Sequence, residues 1–159
     1  MLFRSNLYNN NVQIIQNQDT VVIMTEMVHD ARIVPLDGRN HVSNTIRQWS
    51  GDSRGHWEDN TLVVQTRNFN GLTQSFGVYG TAENKFLTER FTRVDPYTVE
   101  YEFTVDDPST FKQKFTAVVP MAKVDGLMYE YACHEGNYGM MNTLRGARME
   151  ERRAVENSQ

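Results

Sequence analysis

Disulfide bonds are the first thing this chain lacks: with Cys133 as its one cysteine, no intramolecular bridge can form. The fold must stand on burial alone. A single domain of 159 residues suffices, since a chain of that size removes roughly two thirds of its unfolded surface from water. The redox compartment stays open, because secreted proteins of this size can do without disulfides. No apolar run approaches the ~20 residues of a membrane-spanning helix, so no membrane span is expected. Basic charge is not in excess either. The formal net charge is −4, with lysines and arginines interleaved among acids, which argues against a nucleic-acid-binding face. The start, Met1-Leu2-Phe3-Arg4, is too short for a signal peptide, so the chain is expected to be cytoplasmic or a mature form whose leader has been removed.

Catalytic signatures are missing as well. No Gly-x-Ser-x-Gly elbow, phosphate-binding glycine loop or dinucleotide fingerprint occurs. His29, His41, His56 and His134 form none of the spacings that let neighbouring ligands face one ion. Cys133 and His134, adjacent in an expected strand, would point to opposite faces. No metal site and no cofactor are expected.

What the chain has instead is a ladder of alternating apolar and polar residues, from about Val12 to about Cys133, broken by turn clusters. This is the pattern of one antiparallel β-meander. Nine strands are expected, over residues 12–16, 20–26, 29–35, 53–58, 61–68, 84–94, 97–105, 111–119 and 127–133. Turn chemistry separates them at Asn17 to Asp19, Asp37-Gly38, Asp59-Asn60, Asp95-Pro96, Asp106 to Pro108 and Val124 to Gly126. Residues 40–50 are the least periodic and read as a loop or lid, and residues 71–82 as a long connection. From Tyr138 onward Met140, Met141, Leu144 and Ala147 follow helical spacing, so a helix over about 138–155 is expected to pack its methionines on the sheet. A sheet of this length sandwiches or curls. The expected fold is all-β, an antiparallel meander of about 8–10 strands closing into a barrel with a C-terminal helix, as one domain over residues 1–159.

Alternation also says which side chains share a face. Tyr97, Val99, Tyr101, Phe103 and Val105 should point inward, matched by Phe111, Phe115, Ala117 and Val119, and by Leu127, Tyr129, Tyr131 and Cys133. The interior would then be an aromatic, partly polar cavity, or the same rings would fill the core. Strand 84–94 must bury a charge whichever way it faces, because Leu87, Glu89 and Phe91 share one side and Phe86, Thr88 and Arg90 the other. Leu87 and Phe91 are the stronger apolar pair, so Glu89 is expected inside, against an opposite charge or a tyrosine and with a shifted pKa. An ion pair at a solvated edge is the alternative. His29, Asp30 and Arg32 form a second cluster, where a histidine could act as base and an arginine could stabilise an oxyanion. His29 and Arg32 fall on opposite faces of a regular strand, so sharing one cavity requires a bulge or a place at the rim.

The runs Tyr8–Asn11, His29–Arg32, Asp37–Arg39, Gly51–Glu58, Thr61–Val64, Thr88–Phe91 and Glu130–Tyr138 together resemble a large family of uncharacterised small bacterial proteins, often exported. The resemblance covers nearly the whole chain and carries no established activity. It implies a periplasmic or secreted location, with the cytoplasm left open. Members of that family tend to have glycine where Asp59 stands and histidine where Phe86 stands. The first departure should strain the turn, and the second removes an acid/base role from that position. Gly55-His56-Trp57 also resembles the Gly-x-Trp that opens lipocalin-type barrels, where an arginine packs over the tryptophan, a part Arg90 could take. The barrel expected is thus lipocalin-like, of the calycin type.

Two functions follow. The first is a cofactor-independent lyase, isomerase or hydrolase using acid/base chemistry on a small apolar or aromatic molecule. Glu89 or His29 would be the base, Arg32 or Tyr131 would stabilise negative charge, and Trp57, Arg90, Tyr101, Phe103 and Tyr129 would line the pocket. The second is a lipocalin-like carrier of a hydrophobic molecule. A catalyst needs two ionisable groups of unlike pKa within reach of one substrate, and a carrier does not. Homo-oligomerisation is left open.

Overall fold

The structure, a computed structural model, describes residues 2–4, 11–76, 79–132, 135–136 and 138–157. Its strands are β1 (Leu2–Arg4), β2 (Asn11–Gln16), β3 (Thr20–Thr25), β4 (Ala31–Pro35), β5 (Asp52–Glu58), β6 (Thr61–Arg67), β7 (Gln74–Phe76), β8 (Tyr79–Thr81), β9 (Phe86–Asp95), β10 (Thr98–Asp106) and β11 (Phe115–Lys123). The one α-helix among the described residues is α1 (Gly139–Glu156). The fold is mostly β and antiparallel with a C-terminal helix, as the alternation implies.

Local chemistry sets the hairpins. Asn17 turns β2 into β3 by accepting the backbone N–H groups of Asp19 and Thr20 on its side-chain oxygen. Asp95 does the same for Tyr97 between β9 and β10, at 2.6 Å. Asp59, where glycine would fit without strain, adopts φ +51° in the β5–β6 turn. Residues 71–82, expected to be an irregular connection, instead contain the short hairpin β7–β8.

Nine strands form one sheet in the order β4-β3-β2-β1-β11-β10-β9-β6-β5, and every neighbouring pair is antiparallel. An odd number of strands with a reversal at every step leaves the two ends running the same way. β4 and β5 are therefore parallel to each other, and they meet. Ser50, just before β5, bonds Asp30, just before β4, while farther along both strands Gly55 lies against Val34 and Leu36. A Cβ on Gly55 would come within 2.7 Å of Val34 and 2.8 Å of Leu36, so only glycine permits this approach. The sheet curls until its edges touch by side chains, but no backbone ladder joins them. The expected closed barrel is thus not shown by the strand pairing. Antiparallel pairing all the way round requires an even number of strands, so with nine a ladder between β4 and β5 would have to be parallel.

Register defines the inner face. One row across β5, β6, β9, β10 and β11 consists of Trp57, Leu62, Phe91, Tyr101 and Val119, and the next of Gly55, Val64, Glu89, Phe103 and Ala117. Leu62, Val64 and Phe91 join Val21, Ile23, Val34, Val99 and Met121 in the apolar core. Beyond Glu89 the interior turns aromatic, with Phe103 stacked on Tyr101 at 5.5 Å and Phe76, Phe111 and Phe115 edge-on to one another.

Three expectations need correction. Residues 127–132 form no strand, and Leu127 and Tyr129 are exposed. The place beside β11 is taken by β1, which pairs with it through Phe3 and Arg4. Cys133, the end of that expected strand, lies outside the described residues. Tyr97 is exposed because the register shifts between Thr98 and Val99, so the inward row starts only at Val99. The helix does not pack its methionines on the sheet: every residue of α1 is exposed, Met140 at 76%. Its apolar stripe is too short, since Arg148 and Glu151 stand one and two turns beyond Leu144, where it would have to continue.

Candidate functional site

Glu89 is the chemical centre of the interior. Flanking Leu87 and Phe91 turn it inward, and it is only 3% exposed. Arg32, reaching across from β4, donates from both terminal nitrogens, Nη1 to Oε2 at 2.6 Å and Nη2 to Oε1 at 2.8 Å. The Tyr101 hydroxyl donates to Oε1 at 2.8 Å. The expectation that a buried Glu89 would meet an opposite charge or a tyrosine is met by both. Burial alone would lower the Arg32 pKa, but the Glu89 carboxylate raises it above the ordinary guanidinium value. Burial, reinforced by the neighbouring Glu89 charge, pushes the Tyr101 phenol far above its ordinary value. Both carboxylate oxygens thus have partners, Oε2 one and Oε1 two. The arrangement locks β4 to β9 across the interior.

Two openings lie near this lock. Where β4 and β5 begin, residues 30–33 and 47–53 enclose a cavity of about 540 Å³, with the partly exposed Arg32 in its wall. Toward the β5–β6 turn, a cavity of about 290 Å³ is lined by Ile14, Trp57, Leu62, Phe91 and Val99, with Gln16, Asn60 and Arg93 at its polar edge. Trp57 belongs to the inward row yet remains 47% exposed. Phe91 stacks on Tyr101 at 4.8 Å, so the Tyr101–Glu89 hydrogen bond lies directly behind the floor of this mouth.

The other expected site residues are dispersed. His29 sits in a tight turn, residues 27–29, in which Val28 and His29 both have positive φ, +68° and +47°. That break turns His29 away from Arg32: it lines a groove of about 560 Å³ with Tyr131, Glu130 and Met27. His29 and Tyr131 therefore share a place, and Arg32, Glu89 and Tyr101 share another. Tyr129 is exposed and offers only its backbone N–H, to Glu26. Arg90 lies on the outward face and bonds Glu58 at 2.8 Å, so it does not pack over the inward Trp57. Phe103 is a wall of the aromatic cluster.

Two polar groups were not anticipated. Asp52, 6% exposed, accepts from His41 Nδ1 at 2.8 Å, from the Val42 N–H at 3.1 Å and from Arg54 at 2.6 Å. A carboxylate only accepts, so Nδ1 is the donor in this bond, and the buried His41 Nε2 has no partner among the described residues. The second group is Lys85 and Asp107. Burial lowers the Lys85 ammonium, which lies 4.1 Å over the Phe69 ring and donates to the Ser75 carbonyl. Burial would raise Asp107, but hydrogen bonds from Ser109, Ser75 and Thr110 hold it below its ordinary value. The signal for Asp52 was its place at a strand start after an aperiodic segment, which is too weak to single out a residue.

Among the described residues no three of His, Cys, Asp and Glu gather as metal ligands, and no helix is long and apolar enough to cross a membrane. No family model, no curated protein and no solved structure matches the chain.

Proposed function

We propose that the curled sheet works as a lipocalin-like barrel that carries a small apolar or aromatic molecule, held at the mouth beside Trp57. The observation that carries this reading is an inward-facing tryptophan left half exposed in a cavity whose walls are Ile14, Leu62, Phe91 and Val99. A large aromatic surface facing a vacant apolar hollow is what a hydrophobic ligand would cover. The Glu89–Arg32–Tyr101 lock supports the same reading, because it closes the hollow from behind with the carboxylate already paired to Arg32 and Tyr101. Acid/base catalysis has less support: His29 and Glu89, the two candidate bases, stand in different places, and Glu89 is fully engaged. A periplasmic or secreted location, in keeping with the family resemblance, belongs to the same proposal.

The test uses a Trp49→Phe background, in which Trp57 is the sole tryptophan. The neutral probe N-phenyl-1-naphthylamine should bind saturably and quench Trp57 fluorescence. Trp57→Ala should weaken its binding about tenfold or more, since it removes the exposed indole that the probe would cover. Non-saturable uptake, or an affinity indifferent to Trp57→Ala, would overturn the reading.

A further inference from the structure

On the outward face of β5 and β6, beneath the chain from Gly38 to Asn44, lies a second cavity, of about 580 Å³. Arg39, Arg54, Arg67, His41, His56 and Gln65 line it, together with asparagine side chains, and among the described residues no carboxylate does. The nearby acids face the arginines and histidines from outside the lining: Asp37 holds Arg39, Asp52 holds Arg54 and His41, and Glu58 bonds His56. Arg67 has no such counterpart. Its guanidinium lies 5.1 Å over the Phe86 ring, and among the described residues it forms neither an ion pair nor a side-chain hydrogen bond. One face is therefore covered by an aromatic ring while the N–H edge is left to donate.

Arg54 adds a second donor edge. Its Nη1 is spent on Asp52 and the Ser53 carbonyl and its Nε on the Asn40 carbonyl, which fixes the plane of the group and leaves Nη2 without a partner among the described residues. Strand pairing sets Gln65 directly opposite Arg54, and Arg67 two residues farther along the same face. Two guanidinium edges and an amide thus line one cavity, and of its three arginines only Arg67 is held by no carboxylate among the described residues. Planar guanidinium forks match the oxygens of phosphate two at a time, better than they match a single point charge.

We propose that this cavity is a binding site for a small phosphate monoester, with Arg67 and Arg54 on the phosphate and Gln65 and the asparagines on a polar, sugar-sized remainder. The volume accommodates such a remainder beyond the phosphate itself. The site shares none of its lining with the Trp57 mouth and does not depend on it.

Calorimetric titration at low salt with glucose 6-phosphate, inorganic phosphate and glucose tests this. Glucose 6-phosphate should bind more tightly than inorganic phosphate, and glucose should give no heat. Arg67→Gln should weaken glucose 6-phosphate at least tenfold, and Gln65→Leu should weaken it while leaving inorganic phosphate nearly unchanged. Trp57→Ala should change neither. Absence of phosphate binding, binding of inorganic phosphate alone, or full affinity in Arg67→Gln with an unchanged melting curve would overturn the proposal.

Discussion

Glu89 and Asp52 are both buried carboxylates satisfied by an arginine, yet they do different work. Glu89 takes its guanidinium from Arg32, 57 residues away and on the far side of the sheet. Asp52 takes its partners from nearby in the chain, Arg54 two residues on and His41 eleven residues back. The first bond ties β4 to β9 through the interior, and the second ties one connection to the strand that follows it. A buried ion pair is costly to make and costlier to half-break, so its reach decides whether damage is global or local.

Breaking the longer tie should have the larger effect. Glu89→Ala leaves Arg32 buried without its carboxylate and should lower stability by about 3–5 kcal/mol, measured by urea denaturation. A loss below about 1 kcal/mol would show that the pair does not bridge the interior. Replacing the cluster as a whole, by Arg32→Met, Glu89→Leu and Tyr101→Phe together, should recover most of that loss, because no charge is then stranded. Asp52→Asn should cost less, about 1–2 kcal/mol, and should speed amide exchange in residues 38–44 while β9 and β10 keep their protection. Equal exchange across the sheet would erase the distinction between the two carboxylates. The smallest effect is expected from Tyr101→Phe, about 1 kcal/mol, since it removes one hydrogen bond from Glu89 and leaves the bidentate arginine in place.

How far these features could be read in the chain depends on the distance over which they are specified. Glu89 was legible because Leu87 and Phe91 beside it choose the face, a decision made within five residues. That Arg32 would be the partner was not, because no local pattern encodes a contact across the curl of the sheet. Residues 127–133 alternate like a strand, but a strand exists only if an edge is vacant, and β1 had already occupied it. His41 and Asp52 escaped notice because the segment between β4 and β5 has no period, although it holds one of the most completely satisfied carboxylates in the molecule. The helix was recognised from its spacing, but its lack of a landing place was not, since that depends on how much apolar stripe the rest of the protein has left to cover.

The odd strand count reaches beyond this one molecule's shape. Hairpins enter or leave a meander two strands at a time, so insertions and deletions of that kind would widen or narrow the sheet and still hand the same directional mismatch to every descendant. A fault line of this sort has no ladder to unzip and resists only through interlocked side chains. It is where thermal breathing or mechanical tension should first part the wall.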